Sequence, residues 1–339
     1  MRLLFVTQAL DLDDPVLSVY HTWVAELAKR VESIEAVCLK EGRHALPQNV
    51  QVHTLGKEQG RPMFGGLSYA LRFKLLAWKL RKNYDAVFVH MNQEYLLIAG
   101  PMWKLIGKRA YLWRNHYAGS WLTDLAALFA DRVFCTSAHS YTAQYAKTKL
   151  MPVGVDISRF SPGTPVPGSL LFLARMAHSK RAEVLIDALA LLKERGVSVT
   201  ADVVGSPLPE NASYYETLKQ RASSNSSIRF MPGVPNHETS DLYASHDMFV
   251  NCSRSGMYDK TIFEAAASGS LPVAASDDWA KAIGEELSFD GTASSLAARL
   301  EILLSLPEAE KEALRAKARH LAESQSLPVL MDALAKELV

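Results

Sequence analysis

The sequence predicts an α/β chain of two doubly wound units, each a parallel sheet covered by helices on both faces. Three observations lead there. The chain has 339 residues, and at roughly 150 residues per domain that length suggests about two domains. Short, continuously apolar runs alternate with stretches of helical periodicity from end to end, the pattern of strands buried on both faces. The alternation stops at 156–169 and then restarts, which separates two halves of similar size.

In the first half, Leu3-Leu4-Phe5-Val6 reads as a buried strand, Val16 to Arg30 as a helix, and Ala36-Val37-Cys38-Leu39 as the next strand. Ala86 to Val89, Ala110 to Trp113 and Arg132 to Cys135 repeat the strand pattern. Pro162, Gly163, Pro165, Pro167 and Gly168 punctuate the break and read as a linker. In the second half the expected strands are Leu170 to Leu173, Val199 to Val204, Ile228 to Phe230, Met248 to Val250 and Leu271 to Ala274. The expected helices are Arg181 to Arg195, Tyr214 to Ala222 and one beginning near Lys260. Three more close the chain, near 293–304, 308–323 and 327–338. The domain expectation is therefore 1–155, a linker at 156–169, a second domain at 170–325, and a final helix at 326–339 returning to the first domain. Ligands in such units bind beyond the carboxyl ends of the strands, and with two units face to face the expected site is a central cleft.

Composition narrows the class. Apolar residues make up 48 % and charged residues 22 %, the composition of an ordinary globular chain. No run reaches the roughly 18 apolar residues of a membrane span. The short apolar run after Met1 is followed by Asp11, Asp13 and Asp14, so no secretory segment is expected and a cytoplasmic location is. Cys38, Cys135 and Cys252 fit no metal or CxxC spacing. The net charge is +1, too near neutral for a general nucleic-acid binder. It conceals an asymmetry: residues 1–155 hold 19 Lys and Arg against 12 Asp and Glu, and residues 156–339 hold 18 against 24.

Residues 59–84 contain Arg61, Arg72, Lys74, Lys79, Arg81 and Lys82 and no acid. Phe64, Leu67, Leu71, Leu75 and Trp78 recur there at helical spacing, with Phe73, Leu76 and Leu80 widening the face. A basic amphipathic helix of this kind suits the surface of an anionic membrane, peripheral at its inner face. The alternative is a helix packed on the first sheet with a solvated basic rim. His90-Met91-Asn92-Gln93-Glu94 follows a strand, where it either lines an acceptor site or caps a helix.

The chemistry concentrates in the second half. Arg175 and Lys180 stand between a strand exit and a helix start, where a guanidinium fork and an ammonium can converge on one anion. Asn251 to Gly269 carries a polar loop into a helix whose N-terminus offers free N–H groups and the positive end of its dipole. Glu264 lies one turn inside that helix, placed either to accept from a vicinal diol such as ribose or simply to complement the dipole. Asp11-x-Asp13 has the form of a metal motif but lies in a first-half loop, so no metal site is expected. No G-x-G-x-x-G follows a strand, which disfavours a dinucleotide oxidoreductase.

Taken in order, Arg175 and Lys180, Val203-Val204-Gly205, Phe230 to Val234, Leu242 to Val250, and Gly256 to Gly269 with Pro272-Val273 resemble the family 4 retaining glycosyltransferases of the GT-B fold. That fold pairs two Rossmann-like domains. The likeness covers nearly all of 170–285. It is looser in the first half, where Trp113-Arg114-Asn115-His116, the 131–137 strand and Val153 to Asp156 carry it.

The resemblance implies a hexosyltransferase with a nucleotide-sugar donor as co-substrate, a glycan or lipid-linked acceptor, and no further cofactor. It implies retention of configuration and, because cations would meet the leaving diphosphate, no metal. Arg175 and Lys180 would hold the diphosphate, and the backbone of Lys260 and Thr261 would meet phosphate. Glu264, the second glutamate of E-x7-E, would bind the ribose. Gly233 and Val234 would meet the base, and His116 a sugar hydroxyl. The first glutamate of that motif falls at Gly256, within a G-x-x-D-K variant. Sugar contacts are then expected from Met257, Tyr258 and Asp259. The rival readings are a sugar-nucleotide epimerase or hydrolase, and a non-catalytic nucleotide- or glycan-binding scaffold.

Overall fold

A computed structural model describes the whole chain except residues 15–16, 61–64, 257 and 339. Val16, Arg61, Phe64 and Met257, which enter the readings above, therefore lie outside the described residues. The chain divides into two compact units, Met1–Pro152 with Leu327–Val339, and Val153–Ser326.

The first segment contains β1 (Arg2–Leu10), α1 (Val19–Ala28), β2 (Ser33–Glu41), β3 (Val50–Thr54), α2 (Gly66–Lys79), β4 (Ala86–His90), α3 (Glu94–Leu105), β5 (Arg109–Trp113), α4 (Trp121–Phe129), β6 (Arg132–Cys135) and β7 (Thr148–Leu150). Its seven strands run parallel in the order β3-β2-β1-β4-β5-β6-β7. Alternate residues of β1 supply the two faces of this sheet. Leu3 and Phe5 pack with Trp23 and Leu27 of α1, while Leu4 and Val6 pack with Phe73 of α2, Leu96 and Trp103 of α3, and Ala126 of α4. This is the two-residue strand period acting on a sheet buried from both sides.

The second unit contains β8 (Val166–Leu173), α5 (Ala182–Glu194), β9 (Thr200–Val204), α6 (Ala212–Ala222), β10 (Ile228–Met231), α7 (Thr239–Ser245), β11 (His246–Asn251), α8 (Lys260–Ala267), β12 (Leu271–Ala274), α9 (Asp277–Ile283), α10 (Ala293–Ser305) and α11 (Glu308–Ser324). Its five parallel strands lie in the order β10-β9-β8-β11-β12. β8 opens at Val166, inside the stretch expected to be linker. Its pairing with β11 shifts register between His246 and Met248. That irregularity accommodates Pro167, which has no N–H to donate, while Gly168 N–H donates to the Asp247 carboxylate at 3.1 Å. Arg315 of α11 holds the other oxygen of Asp247 at 2.6 Å, so this buried turn carries a satisfied charge.

α12 (Leu327–Glu337) belongs to the first unit. Leu327, Leu330, Met331 and Leu334 join the core of α1, spaced as one helix face requires. Arg30 to Asp332 at 2.6 Å and Arg132 to Glu337 at 2.6 Å secure its edges.

Candidate functional site

In an open parallel sheet, a crevice forms where neighbouring strands send their connections to opposite sides. The second unit has that switch point between β8 and β11, and the exits of these two strands carry the predicted donor residues.

β8 leads into Ala174-Arg175. The turn after β9 lies so close to this exit that a Cβ on Gly205 would stand 1.8 Å from the Ala174 carbonyl oxygen. Met176 N–H donates to the Ser206 carbonyl at 3.1 Å and extends the contact. Arg175 is exposed, and its side chain makes no hydrogen bond or ion pair with any described residue. Lys180 follows in a short 3-10 turn. Arg181 closes that turn at φ +55°, a left-handed conformation uncommon for a residue with a side chain, and anchors it through a 2.8 Å bond to the Gly291 carbonyl.

Lys180 is not a free cation. Its ammonium donates to Asp259 at 2.7 Å and to Ser253 at 3.3 Å. Asn251 also donates to Asp259, at 3.1 Å, and to the Thr261 hydroxyl at 3.3 Å. Burial pushes the Asp259 carboxyl up, but the Lys180 charge and the bonds from Lys180, Ser253 and Asn251 outweigh it and hold it below the usual carboxylate range. Asp259 stands at the N-cap of α8 yet makes no side-chain capping bond. It turns to Lys180 instead, which joins the β8 exit to the opening of α8.

Within α8, Glu264 is 7 % exposed and accepts from the Tyr243 hydroxyl at 3.0 Å. Desolvation raises its pKa against the opposing pull of Tyr243, Lys260, Arg159 and Asn236. Burial pushes the Lys260 ammonium down to about 8, with Glu264 opposing. The unfolded chain therefore binds more protons than the folded one between about pH 8 and the ordinary lysine value near 10.4, so this group makes stability rise with pH there. Urea unfolding at the two ends of that window should show the rise in the native chain and a smaller one in Lys260→Met. Equal slopes would remove Lys260 as its source.

The remaining donor residues separate by environment. Tyr258 turns inward, its ring 4.9 Å from Phe263 and its hydroxyl 3.4 Å from the Asp278 carbonyl. Gly256 has φ +105°, so a glutamate there would be strained as well as absent. Gly233 lies exposed on the loop after β10, its N–H donating to Ser206 at 3.0 Å. Val234 packs against the core beneath that loop.

The first unit has its own switch point, between β1 and β4, and a cavity of about 440 Å³ opens there. Thr7 and Gln8 of β1, the His90 to Glu94 segment after β4, and Arg114 and His116 after β5 line it, with Tyr20 of α1. Met91 has φ +65°, and sparsely populated backbone of this kind clusters at functional sites. Arg114 donates to Gln93 at 2.8 Å and to the Ala118 carbonyl at 3.0 Å. Burial lowers its pKa while Glu94 opposes. His116 Nδ1 accepts from Ala118 N–H at 2.9 Å, the shorter of its two contacts with Ala118. In the neutral ring that contact leaves the proton on Nε2. The His116 ring stacks on Tyr117 at 4.5 Å. Asp11 and Asp13 face different cations, Lys40 at 3.2 Å and Arg43 at 2.6 Å. No cluster of metal-binding side chains occurs among the described residues.

Sequence reasoning did not assign Ser206, Tyr243, Asn251, Ser253, Thr7, Gln8 or Tyr20 to these sites. A polar residue at the very end of an apolar strand, as at Asn251, is the signal that marks a strand exit, while Thr7-Gln8 interrupts the apolar run of β1 shortly before its end.

Residues 167–306 match the family model described as Glycosyl transferases group 1. No curated protein matches the chain. Among solved structures, Anabaena Alr3699/HepE in complex with UDP and glucose is similar at TM-score 0.77 and 18 % identity, over 99 % of this chain and 98 % of that one. Sucrose-phosphate synthase from Thermosynechococcus elongatus is similar at TM-score 0.77 and 14 % identity, over 100 % and 99 %. A glycosyltransferase from Rickettsia africae ESF-5 is similar at TM-score 0.74 and 15 % identity, over 99 % and 98 %. With the two parallel-sheet α/β units, these likenesses give the chain the GT-B fold.

Proposed function

We propose that the chain is a retaining, metal-independent glycosyltransferase that moves a hexose from a nucleoside diphosphate donor to a hydroxyl acceptor on a glycan or lipid-linked glycan. The observation that carries this reading is the exposed Arg175 guanidinium at the β8 exit, unpaired among the described residues, on the same strand-to-helix segment as Lys180, with Lys180 tied to the opening of α8 through Asp259. Such an arrangement supplies fixed positive charge where a diphosphate would lie.

Breaking the bond between the sugar C1 and phosphate builds negative charge on the leaving diphosphate and oxocarbenium character on the sugar. Arg175, Lys180 and the N–H groups at Lys260 and Thr261 would stabilise the leaving charge without reorganising, as preorganised dipoles and cations do. Glu264 would accept from the ribose diol, and Gly233 and Val234 would meet the base. The acceptor hydroxyl would attack C1 from the face the diphosphate leaves and pass its proton to the departing phosphate oxygen. His116 would donate from Nε2 to a hydroxyl of a sugar held in the first unit's cavity. Because Asp259 is engaged by Lys180 and Asn251, contacts to the transferred sugar fall to loop main chain at 258–259. Uridine is the first base to try, since HepE was solved with UDP.

A turnover assay with UDP-, GDP- and ADP-sugars and oligosaccharide acceptors tests the reading, the anomeric configuration of the product being read by NMR. The expected result is a product of retained configuration. In that assay His116→Ala should lower kcat by about 100-fold, within the range of a lost acid–base or hydrogen-bonding group, and leave nucleotide affinity unchanged. Equal kcat would assign His116 to structure. Gly256 favours one second reading, a nucleotide-binding scaffold without activity, and any turnover above background excludes it.

A further inference from the structure

α2 packs on the first unit's sheet through Phe73 and Ala77, and the opposite side of the helix carries the unusual feature. Leu67, Leu71, Leu75 and Trp78 recur at spacings of four, four and three along that side, between 46 % and 73 % exposed. Residues at such spacings share one helix face, so the exposed apolar side chains form a stripe. α4 covers the same sheet face and repeats the pattern, with Trp121 at 70 % and Leu128 at 64 % exposure. Isolated exposed apolar residues are ordinary, but a contiguous patch of this kind marks a surface that meets something.

The charges on α2 select the occupant. Lys74, Lys79 and Lys82 are exposed, and their ammonium groups make no hydrogen bond or ion pair with any described residue. The Arg81 guanidinium lies 4.2 Å above the Trp78 ring. Arg72 is different: it is held by the Leu55 carbonyl at 2.9 Å. No acidic residue occurs between Gly66 and Tyr84. In a two-fold dimer through this face the same bases would confront one another. An anionic headgroup layer instead complements them, while the leucines enter the acyl boundary and Trp78 sits at the interface, where tryptophan is enriched. We propose that the α2 face docks the first unit on an anionic lipid bilayer as a peripheral contact. No helix among the described residues is long and apolar enough to cross a membrane, and the proposal needs none. It is independent of the donor-site reading.

Co-sedimentation of the full chain with phosphatidylcholine vesicles, with and without phosphatidylglycerol, tests this. The native chain should bind the anionic vesicles, lose binding as salt is raised, and bind neutral vesicles at least about tenfold more weakly. Leu71→Ser with Leu75→Ser should weaken anionic binding by about tenfold, and Lys74→Glu with Lys79→Glu by at least as much. All four positions are exposed, and unchanged unfolding midpoints would verify that the variants fold. Failure to bind anionic vesicles would overturn the proposal. So would binding that neither variant changes, or a native dimer in sedimentation velocity that the leucine variant dissociates.

Discussion

Lys180→Ala should lower affinity for a nucleoside diphosphate by on the order of 100-fold, the largest loss expected of a single side chain at this site. A charge-assisted hydrogen bond to phosphate contributes about 1.5–3 kcal/mol, and lysine is a point-charge partner for such an anion. The substitution has a second consequence. Lys180 and Asp259 are largely buried as a pair, so removing the ammonium strands a carboxylate, which costs about 3 kcal/mol of stability. The double variant Lys180→Ala with Asp259→Asn separates the two effects. It should recover most of the stability, because a neutral amide can keep company with Asn251 and Ser253, but not the affinity. Calorimetry with UDP and urea unfolding read the two quantities independently. If the double variant recovered affinity as well, Lys180 would be a partner of Asp259 and nothing more.

Gly205→Ala should destabilise the second unit by about 3 kcal/mol, toward the upper end for a small-to-large change in packed surroundings. The added methyl would have to displace the Ala174 carbonyl from 1.8 Å, and this atom belongs to the strand exit that presents Arg175. Nucleotide affinity should fall with stability even though Gly205 contributes no side chain to a ligand. Gly66→Ala, where no described residue lies within 4 Å of the new atom, is the control and should be nearly neutral. A thermal midpoint for Gly205→Ala equal to that of the native chain would show that the turn can shift freely, and the rigid strand exit would have to be abandoned.

Much of the fold was legible because parallel strands buried on both faces leave short, continuously apolar runs, set apart from helices by their length and their β-branched and aromatic content. Ala86 to Val89 and Met248 to Val250 are such runs, and both lie in central strands. The edge strands of the first sheet were not legible, whereas β10 and β12 at the edges of the second were. β3 reads Val-Gln-Val-His-Thr and β7 Thr-Lys-Leu. An edge strand is short, half-solvated and polar, which in sequence resembles a loop. The start of β8 was hidden by Pro167 and Gly168, residues that usually signal a linker and here sit at an irregularity of the pairing with β11.

The site was legible in its parts and not in its pairings. Arg175, Lys180 and Glu264 stood out by their position relative to strands and a helix start. The engagement of Lys180 by Asp259, 79 residues away, and of Glu264 by Tyr243, depends on which strand neighbours which. Periodicity carries no information about that order. The cavity between the exits of β1 and β4 was hidden for the same reason, since Thr7 and His90 become neighbours only once β1 lies beside β4. On α2 the periodicity was visible, but only the packed structure divides its apolar residues into Phe73 within and Leu71 without.

The most direct test of the central claim is a crystal structure of the chain with UDP. The two phosphates are predicted to lie at the β8–β11 switch point, within hydrogen-bond distance of Arg175 and Lys180 and against the first N–H groups of α8, with the ribose at Glu264. Phosphate density elsewhere, or Arg175 and Lys180 both beyond hydrogen-bond distance of the phosphates while nucleotide is bound, would contradict it.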